Sequence, residues 1–90
     1  MTNNPIMRQF EITNGSEFEP IVSESIRGSG EISVSPDNAD NVIFQGDDGS
    51  DVEWIPGEFH YFRNVDFSSF KVKGTNGDVV SIVGGSWDDL

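Results

Sequence analysis

The sequence predicts an all-β domain, a small antiparallel sandwich or barrel of seven to eight short strands. Three observations carry that expectation. The apolar set consists of eight Ile, nine Val and seven Phe against one Leu and one Ala. Helices draw on Ala and Leu, whereas β-branched and aromatic side chains suit a pleated, half-buried surface. Apolar and polar residues alternate with the period of a strand in one short stretch after another. Between the stretches stand Gly, Pro, Asn and Asp at spacings of about ten residues, as in sandwiches and barrels, and too short for crossover helices.

Each element rests on its own residues. Phe10 and Ile12 alternate with Gln9, Glu11 and Thr13 before a turn at Asn14-Gly15. Phe18 to Ile26 reads as a second extended stretch, with Pro20 demoting its first half to an edge or bend. Arg27-Gly28-Ser29-Gly30 turns into Ile32 and Val34, which alternate with Glu31, Ser33 and Ser35 until Pro36-Asp37-Asn38. Val42, Ile43 and Phe44 stand in a row, which suits a strand covered on both faces or one whose outer face is a contact surface. Val52 and Trp54 alternate with Asp51, Glu53 and Ile55, and Pro56-Gly57 fits the central pair of a type II turn. Phe59 to Phe62 carries aromatics at both parities, and Val65 and Phe67 follow. Phe70 and Val72 alternate with Lys71 and Lys73, and Gly74-Thr75-Asn76-Gly77 closes a hairpin into Val79 to Val83. Residues 1–90 thus read as a single β domain, with 1–6 as a flexible N-terminal arm and 85–90 as a C-terminal tail released by Gly84-Gly85.

Charge narrows the partners. Sixteen Asp and Glu against five Lys and Arg give a net charge of −11, which disfavours nucleic acid and anionic membranes alike. From Glu31 to Glu58 there are eight acids and no Lys or Arg, whereas Arg63, Lys71 and Lys73 follow closely, so an acidic side and a less acidic side are expected. The chain has no Cys, hence no disulfide framework, thiolate nucleophile or Cys-based zinc site. Its first residues lack the basic and apolar regions of a secretory signal, and no apolar run approaches membrane-spanning length. A domain of this size without such staples commonly gains stability by oligomerising or docking, so a homo-oligomer is expected.

No arrangement for catalysis stands out. His60 is the single His, it lies among aromatics, and no Gly-x-Ser-x-Gly elbow surrounds a Ser. No enzyme activity, no cofactor and no metal are expected. The loop Asp47-Asp48-Gly49-Ser50-Asp51 with Glu53 is oxygen-rich, but it lacks the ligand spacing, the sixth-position Gly and the twelfth-position Glu of an EF-hand loop, and reads as a solvated turn. Carboxylates at i and i+2, Glu17 with Glu19 and Asp51 with Glu53, lie about 6.8 Å apart on one strand face, comparable to phosphate spacing. Lined up on a single face, they would make an acidic DNA mimic that inhibits a basic DNA-binding host protein. Protein contact has its own signal. Val42, Ile43 and Phe44, together with Phe59, His60, Tyr61 and Phe62, exceed what one sheet face hides, and Trp87 follows a Gly pair as a possible anchor. A third reading, a carbohydrate-binding sandwich, would use Trp54 or Tyr61 to stack on sugar.

From Asn38 to Gly84 the order of turns follows a pattern. Asn41-Val42-Ile43-Phe44-Gln45-Gly46 is an Asn turn leading into a short apolar strand that ends in Gly, and Trp54-Ile55-Pro56-Gly57-Glu58 is a strand closed by Pro-Gly-Glu. An aromatic strand leads to Val65-Asp66-Phe67-Ser68-Ser69 and the alternating Phe70-Lys71-Val72-Lys73-Gly74, before Asn76-Gly77-Asp78 opens a Val-rich strand. This half of the chain resembles small structural proteins of tailed bacteriophage particles. The resemblance implies a virion component assembled in the host cytoplasm: a capsid decoration or cement protein, or a head-to-tail or tail accessory part. It also implies a partner in the major capsid protein or another virion protein. The expected interface residues are Val42, Ile43, Phe44, Tyr61, Phe62 and Trp87.

Overall fold

Alternation becomes strand wherever the turn residues permit it. The computed structural model describes the backbone of residues 2–88 and the side chains of residues 4–86. Its strands are β1 (Thr2–Glu11), β2 (Glu19–Pro20), β3 (Arg27–Val34), β4 (Val42–Gln45), β5 (Val52–Trp54), β6 (Phe59–Asp66), β7 (Lys71–Lys73) and β8 (Val79–Asp88). They form two four-stranded antiparallel sheets, ordered β1-β8-β3-β6 and β2-β7-β4-β5, packed as a sandwich and not closed into a barrel.

The core is what the alternating residues bury between the sheets. The first sheet supplies Ile6, Ile32, Val34, Val80 and Ile82, and the second supplies Val42, Phe44, Trp54 and Val72. Ile12, Ile21, Val22 and Phe67 close the core from the connecting segments. Each such side chain contributes about 1.5–3 kcal/mol through removal from water. An aromatic seam joins the sheets. Phe44 stacks on Trp54 at 3.9 Å, Trp54 lies parallel to Phe62 at 6.3 Å, and Phe62 meets the Phe70 ring edge-on at 4.8 Å.

Turn chemistry acts where the residues point to it. Glu58 N–H donates to the Ile55 carbonyl at 2.9 Å across Pro56-Gly57, and Gly57 takes φ +89°, the left-handed value a type II turn requires at that position. Asp66 ends β6 and caps the short 3-10 turn Phe67–Ser69, accepting from Ser68 N–H at 3.0 Å.

The structure differs from the sequence reading at several places. Residues 27–30, read as a turn, are the first half of β3. Residues 74–77, read as closing a hairpin, carry the chain from β7 in one sheet to β8 in the other. In both cases the strands pair with segments distant in sequence. The stretch 18–26 forms only the two-residue strand β2, because Ile21 and Val22 both turn into the core and alternation stops there. Residues 2–6, read as an arm, are the first half of β1, and 85–88, read as a tail, extend β8; the two pair from Thr2 with Asp88 to Ile6 with Gly84. The physical reason lies in Gly84. A Cβ there would sit 2.1 Å from the Ser29 carbonyl oxygen, so this glycine permits close approach of β3 and β8 and does not release the chain.

Candidate functional site

The outward face of the β1-β8-β3-β6 sheet is assembled by strand register. Met7 pairs with Val83, Val83 with Glu31, and Glu31 with Tyr61, so these side chains form one row across all of its strands. On one side of it runs the row Gln9, Ser81, Ser33, Phe59; on the other run Pro5, Gly85 and Ser29. Alternation from Phe59 and Tyr61 sets Arg63 at the end of that second row, beside the bulge where Asn64 takes φ +55° and donates its N–H to Ser29 Oγ at 2.9 Å. The apolar members are well exposed: Met7 by 74%, Val83 by 58%, and Phe59 and Tyr61 by 61% each.

This face is also poor in charge. Glu31 stands in its middle and Arg63 nearby, with Glu11 at one end and the cross-strand pair Arg27 and Asp66 at the other. Three acids against two bases leave −1 on the described residues of this face, out of a total of −11. Most of the acidity therefore lies elsewhere, in the loops and on the second sheet.

The expected interface residues are distributed unevenly. Val42 and Phe44 are 0% and 4% exposed, so they belong to the core and not to a contact surface. The reason is periodicity: the apolar run is an ordinary strand with Val42 and Phe44 inward and Ile43 outward, half-buried between Glu53 and Lys73. Phe62 is half-buried in the aromatic seam. Tyr61 is the candidate that stands free. The Trp87 main chain pairs with Asn3, and its side chain lies outside the described residues. Met7 and Val83 escaped the sequence reading, and Phe59, counted there in the apolar surplus, was not among the expected interface residues. Val83 was legible in principle, since Val80 and Ile82 inward require Ser81 and Val83 outward.

No family model, curated protein or solved structure matches the chain. The arrangement of its own residues therefore carries the functional argument.

Other candidate groups serve the scaffold. His60 Nε2 lies 2.7 Å from Glu58 Oε2 and its ring meets Trp54 edge-on at 4.8 Å. Glu58 also accepts from Ile55 N–H at 3.0 Å, and these bonds, that with His60 first, hold its carboxyl below the usual range. Asp48 accepts from Ser50 N–H at 2.9 Å, which lowers its pKa and closes the acidic loop on itself. Among the described residues no group of three or more Asp, Glu or His converges as a metal site, and no enclosed pocket opens. The carboxylate pairs do not line up. Glu17 with Glu19 and Asp51 with Glu53 lie at opposite edges of the β2-β7-β4-β5 sheet, with Lys71 and Lys73 of β7 between them. What this surface offers chemically is a flat area for apolar contact around few charges.

Proposed function

We propose that this chain is a non-enzymatic structural component of a bacteriophage particle, one that decorates or stabilises the capsid by binding the shell. The observation that carries the reading is the set of large apolar side chains left outside a well-filled core: Met7, Val52, Ile55, Phe59, Tyr61 and Val83. Val52 and Ile55 lie on β5 and the following turn, at the edge of the second sheet, separate from the face that bears the other four. A domain with apolar side chains on two such surfaces is suited to sit between neighbours in an assembly. The turn pattern between Asn38 and Gly84 supports the virion setting, and the acidic remainder suits a place away from packaged DNA.

The test is direct. Purified particles are expected to contain the chain in a fixed ratio to the major shell protein, at regular positions visible by electron microscopy. The isolated protein should also rebind particles stripped of it, and Val52→Ser with Ile55→Ser should weaken that rebinding. Absence of the chain from purified particles overturns the reading.

A further inference from the structure

We propose that the outward face of the β1-β8-β3-β6 sheet is the contact surface of a symmetric dimer, its occupant a second copy of this chain. The inference goes beyond the virion reading and does not depend on it. Its basis is that the face is complementary to itself. Consider a two-fold axis lying between facing sheets, across the strands, midway between the row of Met7, Val83, Glu31 and Tyr61 and the row of Pro5, Gly85, Ser29 and Arg63. Such an axis sets each residue of one row over its strand neighbour two positions away in the other copy.

The matches that result are favourable in shape and in charge. Val83 comes over Gly85, where the sheet carries no side chain and the nearest atom to an added Cβ is the Asn4 carbonyl oxygen at 3.7 Å, so the knob meets an open seat. Met7 comes over Pro5. Tyr61 comes over Arg63, a cation over an aromatic ring. Glu31 comes over Ser29, and the Arg63 of the other copy then stands one strand away, about 4.8 Å to the side. Among the described residues of one copy neither of these charges has a partner: the ion pairs there are Arg8 with Glu24 and His60 with Glu58. The two-fold supplies each with the other, twice.

Net charge and area are compatible with this. Self-association of a chain carrying −11 requires a face from which the acids have been withdrawn, and the described residues of this face hold −1. Four strands at about 4.8 Å and eight residues at about 3.3 Å span a projected area on the order of 500 Å². Corrugation by Met, Tyr and Phe side chains raises the accessible area toward the ~800 Å² per partner of a standard interface.

Sedimentation of the full chain, from micromolar to millimolar concentration at physiological salt, tests the proposal. The wild type is expected to form a dimer. Arg63→Glu and Glu31→Arg, each alone, should set like charges against one another and weaken the dimer on the order of 100-fold. The second of these is decisive against a general charge effect, because replacing −1 by +1 takes the net charge from −11 to −9 and reduces overall repulsion. The double variant Glu31→Arg/Arg63→Glu keeps −11 and should recover the dimer. Gly85→Leu, which fills the seat of Val83 at a solvent-facing position, should yield a folded monomer by circular dichroism. A wild type that stays monomeric, a ring of three or more copies, a dimer untouched by Arg63→Glu and Gly85→Leu, or a folded double variant that remains monomeric each overturns the proposal.

Discussion

Asn38 binds Val79 with both ends of its carboxamide: Nδ2 donates to the Val79 carbonyl oxygen at 3.1 Å, and Oδ1 accepts from Val79 N–H at 2.8 Å. The side chain thus supplies the acceptor for Val79 N–H at the start of β8 and a second donor to its carbonyl oxygen, which also accepts from Ser35 N–H at 3.1 Å. The neighbouring Asp78, buried, accepts from Ala39 N–H at 2.8 Å and Asp40 N–H at 3.3 Å. These bonds pin the Pro36–Asn41 loop across the end of the first sheet. Asn38→Asp keeps the shape but removes the donor, and Asn38→Ala removes both contacts. Asn38→Ala leaves Val79 N–H without its acceptor, so a loss of about 1–3 kcal/mol is expected in urea unfolding. Asn38→Asp keeps that acceptor and the Val79 carbonyl keeps Ser35 N–H, so its loss should be smaller. Equal stability of wild type and Asn38→Ala would show that water replaces the amide.

Asp66 gives the fold a defined acid sensitivity. Its carboxylate accepts first from Ser25 Oγ, then from Ser68 Oγ and Ser68 N–H and from Ile26 N–H, and this holds its pKa at about 2 against an ordinary 3.8. The folded value lies below the unfolded one, so the stabilisation is fully present above pH 3.8 and declines as pH falls through about 2. Asp66→Asn is expected to be less stable at neutral pH and to lose less on acidification through that window. Parallel acid-unfolding curves for wild type and variant would remove this assignment.

The aromatic seam dominates the core. Trp54→Ala removes the ring that bridges Phe44 and Phe62 and is expected to cost about 3–5 kcal/mol. Against a total of about 5–15 kcal/mol for a domain, that change alone brings the chain close to unfolding. Val52→Ser, on an exposed side chain two residues earlier, should stay within about 0.5 kcal/mol. Denaturant midpoints for the two variants give the comparison.

Two adjacent glycines should behave oppositely. A methyl group on Gly84 would lie 2.1 Å from the Ser29 carbonyl oxygen and 2.4 Å from Gly30 Cα, both main-chain atoms that no rotamer change can move. Gly84→Ala is expected to cost at least the upper end of about 1–3 kcal/mol, or to prevent folding. Gly85→Ala meets nothing closer than 3.7 Å and should change stability by no more than about 0.5 kcal/mol. Thermal unfolding of the pair distinguishes close strand approach from general loss of flexibility.

The chain's own order of residues determined the class of fold and most of its strands. Ile32 and Val34, Val42 and Phe44, Val80 and Ile82 fall inward because a pleated strand sends alternate side chains to opposite faces, a local property of the backbone. Gly57 and Gly77 mark turns because their left-handed backbone angles suit glycine, and this too is local. Which strands become neighbours was decided by the tertiary structure alone. Only the register of β1 on β8, β8 on β3 and β3 on β6 brings Met7, Val83, Glu31 and Tyr61 from four distant segments into one row. Pairing across the chain likewise turned the apparent arm and tail into strands, and it set the two acidic pairs at opposite edges of a sheet. Outside the local pair β4 and β5, hydrogen bonds between these strands join partners tens of residues apart, and alternation within a single segment carries no information about which segment will lie beside it.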